Sequence, residues 1–456
     1  MERIQQILAK KYNLAVPRYT SYPTVPYWDP QTFSLKAWKN SVKTSFEEGN
    51  EKEGISIYIH LPYCESLCTY CGCNKRITKN HAVEGGYIRA ILKEWSLYRG
   101  LFSSIPVIRE IHLGGGTPTF FSPEHLKELV EGILEDSEIH PLAQFSFEAH
   151  PANTTAFHLI TLHDLGFTRL SLGIQDFDAK VQKRIHRKQS VEEVKEICQL
   201  AREIGYTSIN FDLIYGLPAQ SIEGLTSTII QVSELKPDRI AFYSYAHVPW
   251  LQKSQRGYTE KDLPSFELKS ELRDIGRFML KNFGYEEIGM DHFALAGDEL
   301  LMASEQGHLH RNFMGYTPFH THLLIGLGVS SISDSYYGYA QNEKEVEDYL
   351  KRVEEGKFPI IKGHMLTQED ISIRKHILEI LCQGKTQWNP YKEPYESLWK
   401  SLERLQVMAD DRLIDLNSYG LTVNQEGRDF LRIICMAMDA RLWARKTKDP
   451  LFSMNV

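Results

Sequence analysis

The chain has 456 residues, of which 42% are hydrophobic, 11% aromatic and 24% charged, and its formal net charge is −7. That length exceeds one ordinary core and predicts a large domain with an appendage, or two to three domains; the composition excludes long disordered tracts. The mild acidic excess offers no electrostatic footprint for DNA or RNA, so nucleic acid is excluded as a partner.

The first fifty residues carry no strand series. Their opening, "MERIQQILAKKYNLAVPRYTSYP", mixes charges into every short apolar run and lacks the apolar core of a signal peptide. No stretch approaches the roughly 18 apolar residues of a membrane span, so no span is expected.

From about residue 54 to 246, β-rich runs alternate with helix-period stretches. Strands are expected at "ISIYIHL" (55–61), "EIHL" (110–113), "QFSFEAH" (144–150), "RLSLGIQ" (169–175), "SINFDLIYG" (208–216) and "RIAFYSYA" (239–246). Helices are expected between them at 86–98, 123–136, 191–204 and 222–235. This alternation predicts an α/β fold of βαβ units around a parallel sheet, and six units fit a partial (β/α)6 barrel. Polar residues follow the C-terminal ends of almost every strand: cysteines after the first, "GGGTPT" after the second, Glu148, Gln175 and Asp212 on the next three. Ligands bind at that edge in barrels and open α/β sheets, so these residues are expected to converge on one mouth. Glu148 and Asp212 also suit the plainer role of capping the helices that follow. Beyond about residue 365 the pattern is helical with one short β-turn element.

Four of the seven cysteines lie in "CESLCTYCGC" (64–73), while Cys198, Cys382 and Cys435 are scattered. An odd total without paired spacing speaks against a disulfide framework and predicts a reducing, cytoplasmic setting. Zinc sites usually pair two C-x2-C knuckles, and no second knuckle exists here. A single loop supplies three corners of an iron–sulfur cube more readily than four. Ligation by Cys64, Cys68 and Cys71 would leave one iron of a [4Fe–4S] cluster open to another ligand. Cys73, two positions beyond the third ligand, is either a small packing residue or a group facing the site.

"CESLCTYC" resembles the C-x3-C-x2-C signature of radical S-adenosylmethionine (SAM) enzymes, and "GGGTP" (114–118) suits close backbone approach to a small zwitterion. "RYTSYPT" (18–24), "CGCNK" (71–75), "NFDLIYGLP" (210–218), "GMDHFA" (289–294), "LHRNF" (309–313) and "GLGVSSIS" (326–333) further resemble the oxygen-independent coproporphyrinogen III oxidases. The resemblance implies a TIM-like partial barrel of the radical SAM type with a C-terminal, mainly helical domain. It implies an arm over the active site at 1–50, the catalytic domain at 51–364 and the helical domain at 365–456. It implies a [4Fe–4S] cluster on Cys64, Cys68 and Cys71, and two SAM molecules. Tyr58, Gly115, Glu148 and Ile332 are implied for the first SAM; Tyr70, Gly116, Thr117, Gln175, Arg187, Asp212 and Ala246 for the second. Cys73 and Tyr58 are implied at the catalytic centre. The implied reaction converts two propionates of coproporphyrinogen III to vinyl groups, in a cytoplasmic monomer that takes electrons from a flavodoxin or ferredoxin.

Arg18, Lys75, Arg76 and Arg311 are candidates for meeting the substrate carboxylates. "HLHRNFMGYTPFHTH" (308–322) contains two H-x-H pairs, but no acidic residue stands at a matching spacing, so no second metal is expected there. This segment departs from the family pattern, with Met314 where glutamine is common and Pro318, Phe319 and His320 breaking a polar run. Two other functions share the three-cysteine loop: a non-catalytic haem chaperone and a radical SAM enzyme acting on haem itself. Cys73, Gln175, Arg187, Asp212 and the full-length resemblance weigh against both.

Overall fold

A computed structural model describes residues 2–445 and 452–454, with side chains from Ile7 onward. Met1 of the expected arm, and 446–451, 455 and 456 of the expected C-terminal domain, lie outside the described residues.

Six strands run parallel: β1 (Ile55–Leu61), β2 (Val107–Gly115), β3 (Glu138–Ala149), β4 (Phe167–Gln175), β5 (Ser208–Tyr215) and β6 (Arg239–Ser244). Each is followed by a helix, at Glu84–Arg99, Pro123–Leu134, Ala156–Asp164, Val191–Ile204, Ile222–Leu235 and Phe266–Asn282. The partial (β/α)6 barrel read from the sequence is therefore present. Side-chain caps start five of these helices: Ser122, Thr155, Ser190, Ser221 and Ser265 each accept a backbone N–H from the first turn. At Ser190 the capping box is complete, with Glu193 reaching back to the cap N–H.

The strands divide their residues by parity. Ile55, Ile57, Ile59 and Leu61 are fully buried in the main apolar core with Ile88, Ile91, Leu126 and Leu129 of the helices. Each such side chain contributes roughly 1.5–3 kcal/mol by leaving water. The alternate residues face one another across a polar barrel interior. Ser56 donates to Glu110 (2.9 Å), the Tyr58 ring stacks on His112 (5.9 Å), and His112 meets Ser146 (2.7 Å).

The sheet extends well beyond the six expected strands, to twelve. β7 (Glu286–Ile288) and β8 (His292–Ala294) add antiparallel beside β6. On the other flank β9 (Leu324–Leu327) pairs parallel with β1, and β10 (Ile332–Asp334), β11 (Gly338–Asn342) and β12 (Ile360–Met365) continue antiparallel.

A second core joins Leu8, Tyr12, Val16, Tyr19 and Tyr22 to Ile377, Ile380, Leu405 and Ile434, so the start of the chain packs on the C-terminal helices. Those helices, Gln368–Gln383, Glu396–Asp410 and Leu431–Met438, carry a three-stranded antiparallel sheet (Lys385–Gln387, Ile414–Asn417, Gly420–Val423) rather than one β-turn. Its third strand comes from "KTQ", beyond the reach of a local hairpin pattern.

Candidate functional site

The cysteine loop leaves the C-terminal end of β1. Its base is closed by a two-residue parallel pairing of Tyr63–Cys64 with Arg76–Ile77. Its tip is held through its carbonyls: Gln255 donates to Tyr70 O (2.9 Å), Ser254 to Cys71 O (3.1 Å) and Gln252 to Gly72 O (2.9 Å). On the other side Thr69 N–H donates to Ile185 O at 3.0 Å. With the backbone so occupied, Cys64, Cys68 and Cys71 stand half-buried and Cys73 exposed, none of them in a disulfide.

Each of the three half-buried thiols meets a donor. Thr117 Oγ1 lies 3.4 Å from Cys64 Sγ, and Arg187 Nη1 lies 3.8 Å from Cys68 Sγ. Cys73 hydrogen-bonds to Cys71, which draws the Cys71 thiol down to about 6 and pushes Cys73 well above the ordinary thiol range. Lys75 Nζ, donating to Cys71 O at 3.0 Å, adds positive charge. A loop that gathers three sulfurs under cationic and hydroxyl donors suits thiolates held by an iron–sulfur cluster.

The glycine run supplies the second wall. Gly115 has φ 115°, and a Cβ there would meet the His60 ring at 2.9 Å; a Cβ on Gly116 would lie 2.5 Å from Pro62 O. Side chains are therefore excluded at both positions. The backbone they leave is used: Gly115 N–H donates to Glu148 Oε2 (3.1 Å) and Gly116 N–H to Leu61 O (2.8 Å).

The third wall comes from β4 and β5. Gln175 ends β4 in a left-handed conformation (φ 67°) as a buried residue (7% exposed), and its Oε1 has no hydrogen-bond partner among the described residues. A buried orphan acceptor beside a strained backbone marks a position shaped for a ligand. Arg187, also buried, donates to Gly173 O and lies 3.5 Å from the Tyr70 hydroxyl. Asp212 accepts from Asn210 (2.9 Å) and Ser171 (3.3 Å), and burial, with Glu148 second, pushes its carboxyl up to about 6. These walls enclose one cavity of about 520 Å³ at the C-terminal strand edge.

The radical SAM superfamily model matches residues 58–229. The oxygen-independent coproporphyrinogen III oxidase of Helicobacter pylori is 38% identical over 95% of each chain, and that of Escherichia coli is 37% identical over 96% of this chain and 97% of its own. The solved structure of coproporphyrinogen III oxidase HemN from Escherichia coli, described as a radical SAM enzyme, is 36% identical. It superposes with a TM-score of 0.87 over 93% of this chain and 98% of its own. The chain belongs to the oxygen-independent coproporphyrinogen III oxidase family. It is thus a radical SAM oxidoreductase, and a [4Fe–4S] cluster and SAM come with that superfamily.

Most of the site residues expected from the family resemblance line this cavity: Cys64, Cys68, Cys71, Cys73, Tyr70, Gly115, Gly116, Thr117, Glu148, Gln175, Arg187, Asp212 and Ala246. Tyr58 and Ile332 do not. Tyr58 sits inside the barrel, its hydroxyl 3.1 Å from His60 Nδ1 and its ring against Gly114. Ile332 is on β10, its carbonyl crowding Gly326, the register partner of Tyr58.

The helix-cap reading of the two acids fails, because Thr155 and Ser221 cap the helices after β3 and β5. Of the candidate cations, Arg18 and Lys75 line the cavity, and Arg18 also donates to Ser244 O at 2.7 Å. Arg76 is at the surface, paired with Glu347 at 2.8 Å. Arg311 is buried over the Tyr316 ring (4.5 Å), and its Nε and Nη1 have no hydrogen-bond partner among the described residues.

Several lining residues were missed. His150 and Tyr243 alternate with hydrophobic neighbours at strand ends and carried a signal; Val248, Gln252 and Gln255, on a loop without pattern, carried none.

Proposed function

We propose that this chain oxidatively decarboxylates two propionate side chains of coproporphyrinogen III to vinyl groups, giving protoporphyrinogen IX. The observation that carries the reading is the meeting of three donor-supported thiols, a side-chain-free glycine wall, and the Gln175, Arg187 and Asp212 set around one cavity.

Cys64, Cys68 and Cys71 are the thiolates that would hold the cluster. The orphan Gln175 Oε1, the Gly115–Gly116 cradle, the Glu148 and Asp212 carboxylates and the Arg187 guanidinium fit a ligand bearing an ammonium, a carboxylate and ribose hydroxyls, as SAM does. We assign Gly115 and Glu148 to one SAM, with Tyr58 and Ile332 behind them in the barrel rather than on the cavity wall, and Tyr70, Gly116, Thr117, Gln175, Arg187, Asp212 and Ala246 to a second. When bound, cluster and SAM would supply hydrogen-atom abstraction by a carbon-centred radical; a propionate that has lost a β-hydrogen atom would then release CO2 and pass one electron to an external one-electron acceptor to become vinyl.

The chain's own part is placement and shielding. Arg18 and Lys75, on the cavity wall, and Arg311, behind Tyr243, are assigned to substrate carboxylates. Arg311 fits because two of its donor nitrogens are buried without hydrogen-bond partners among the described residues. Cys73, beside Cys71 and exposed toward the cavity, is assigned to the reacting end.

We divide the chain into an arm (1–50), a catalytic domain (51–364) and a helical domain (365–456), supported by β12 ending at Met365 and the next helix starting at Gln368. We place the enzyme in the cytoplasm as a monomer reduced by a flavodoxin or ferredoxin. In support, the cysteines are free and no helix among the described residues is long and apolar enough to cross a membrane.

The test is mass spectrometry of tetrapyrroles after anaerobically reconstituted protein is incubated with coproporphyrinogen III, SAM and a strong reductant. Loss of two carboxyl groups with stoichiometric deoxyadenosine is expected. Deoxyadenosine without decarboxylation would move the substrate to another tetrapyrrole, and neither product from cluster-loaded protein would overturn the reading.

A further inference from the structure

The "PFHTH" end of the segment that departs from the family pattern lies at the opposite end of the barrel from the cysteines. Glu53 stands just before β1, whereas the cysteine loop follows β1, and seven residues at about 3.3 Å each separate the two ends by roughly 20 Å. The sequence offered these histidines no acidic partner nearby; the fold brings one from 269 positions away.

His322 Nδ1 lies 2.6 Å from Glu53 Oε2, and the His322 backbone N–H donates to the same oxygen at 3.1 Å. His320 stands beside them, with 5.1 Å between the two imidazole centroids. One potential ligand atom from each of Glu53, His320 and His322 falls within 4.8 Å of the others. A four-coordinate zinc with ligands at about 2.1 Å needs donors roughly 3.4 Å apart, so side-chain rotation of about an ångström closes the set.

We infer that Glu53, His320 and His322 form a binding site for a divalent first-row transition ion, such as Zn²⁺, at the foot of the barrel.

Contacts of the flanking residues hold the two segments that carry these ligands together. Glu53 N–H donates to Gly49 O at 2.8 Å, and Gly49 passes so close to the histidine loop that a Cβ there would lie 3.1 Å from His322 Cβ. Ser56 N–H donates to Leu323 O at 3.0 Å, and Ser56 Oγ meets Thr321 Oγ1 at 2.9 Å. The donor set of two imidazoles and one carboxylate is the chemistry such ions select over calcium or magnesium.

His320 makes ring contacts with His310, His322 and Tyr336 and no hydrogen bond among the described residues, leaving its nitrogens for a ligand. His310 and His320 both line a cavity of about 240 Å³, which leaves open space on the His320 side of the set. Arg374 and Lys375 are the cations lining this cavity; Arg374 is met by Asp334, Nη2 to Oδ2 at 2.7 Å, and Lys375 Nζ lies 4.0 Å from Glu379 Oε1. Glu53 and His322 keep 33% and 26% of their side-chain surface exposed, which gives a free ion access.

The ion would staple the turn before β1 to the loop before β9. Those two strands pair in parallel from Ser56 with Leu324 onward, so the bond would lock the seam where the barrel strands meet the added flank.

The test is zinc titration of the cluster-loaded holoenzyme under anaerobic conditions, read by calorimetry and by zinc and iron content after desalting. One zinc per chain is expected at unchanged iron content, together with a raised melting temperature. Glu53→Gln and His322→Ala are each expected to weaken zinc binding on the order of 100-fold while iron content and deoxyadenosine formation stay at the wild-type level. Glu53→Gln preserves side-chain shape and serves as the folded control should His322→Ala fail to fold. No retained zinc, equal zinc in wild type and Glu53→Gln, or zinc taken up only as iron is lost would each overturn the assignment.

Discussion

Gly116→Ala isolates what the glycine wall does. Its added methyl would lie 2.5 Å from Pro62 O, 2.6 Å from Pro62 C and 2.9 Å from Tyr63 O, against the roughly 3.5 Å at which carbon contacts become comfortable. All three atoms are backbone, so no side chain can swing away, and the Pro62–Tyr63 peptide must retreat by about 1 Å. That peptide is tied on both sides, since Arg76 N–H donates to Pro62 O (2.8 Å) and Thr117 N–H to Tyr63 O (3.0 Å). Overpacking of this kind costs about 1–3 kcal/mol, and the displaced peptide leads directly into Cys64. A 1 Å misplacement in a reacting constellation costs roughly 100-fold in rate. The expected result is a melting temperature lowered by a few degrees, with lower iron content or SAM cleavage reduced about 100-fold. Gly72→Ala is the control, because a Cβ there meets nothing within 4 Å. Wild-type iron content and cleavage in Gly116→Ala, or an equal loss in Gly72→Ala, would refute the packing argument.

Cys68→Ala is expected to abolish cluster absorbance and SAM cleavage, whereas Cys73→Ala keeps the cluster and loses vinyl product; equal cluster loss in both overturns the division into three ligands and one neighbour. Asp212, raised to about 6, must ionise to attract a cationic ligand, so SAM affinity by calorimetry is expected to climb between pH 5 and 6 and flatten above. The same raised value makes Asp212 cost folding stability as pH rises from its ordinary 3.8 through about 6, the opposite sign. Asp212→Asn is expected to remove the rising limb of SAM binding, and a flat wild-type profile would refute the assignment. Arg374→Ala leaves Asp334 buried without its partner and is expected to cost about 3–5 kcal/mol in denaturant unfolding, partly recovered in Arg374→Met/Asp334→Asn; a loss below about 1 kcal/mol refutes it.

Much of the barrel was legible because its signals are local. β1 and the helices at 191–204 and 222–235 were read to the residue, and Ser190 with Glu193 shows why: the cap and its reciprocal partner lie within one turn. The cysteine loop was legible for the same reason, its thiols all coming from one short segment. β7 to β10 were not, since strands of three or four residues have too few positions for a period to show. The packing of Tyr19 and Tyr22 against the C-terminal helices joins the two ends of the chain, and no window of sequence spans that distance.

The histidine segment shows where spacing arguments break down. H-x-H was set aside because acidic partners were sought at metal-ligand spacing along the chain, a criterion that suits a loop such as 64–73, where one segment supplies every thiol. Glu53 and His322 are instead delivered by strand pairing: once Ser56 faces Leu324 in parallel register, the residues just before each strand start side by side. The pairing is fixed by what the strands bury, Ile57 and Ile59 on one and Ile325 and Leu327 on the other, all fully removed from solvent. A slip of one residue would turn those side chains to the polar interior, so the apolar pattern that builds the barrel also holds the carboxylate against the imidazole. The same logic applies at the other end, where Gln175, Arg187 and Asp212 come from separate segments and meet because β4 and β5 are in register. Sites of this second kind become visible only when sheet order is known. Here that order places the four-cysteine loop at one end of the barrel and Glu53, His320 and His322 together at the other.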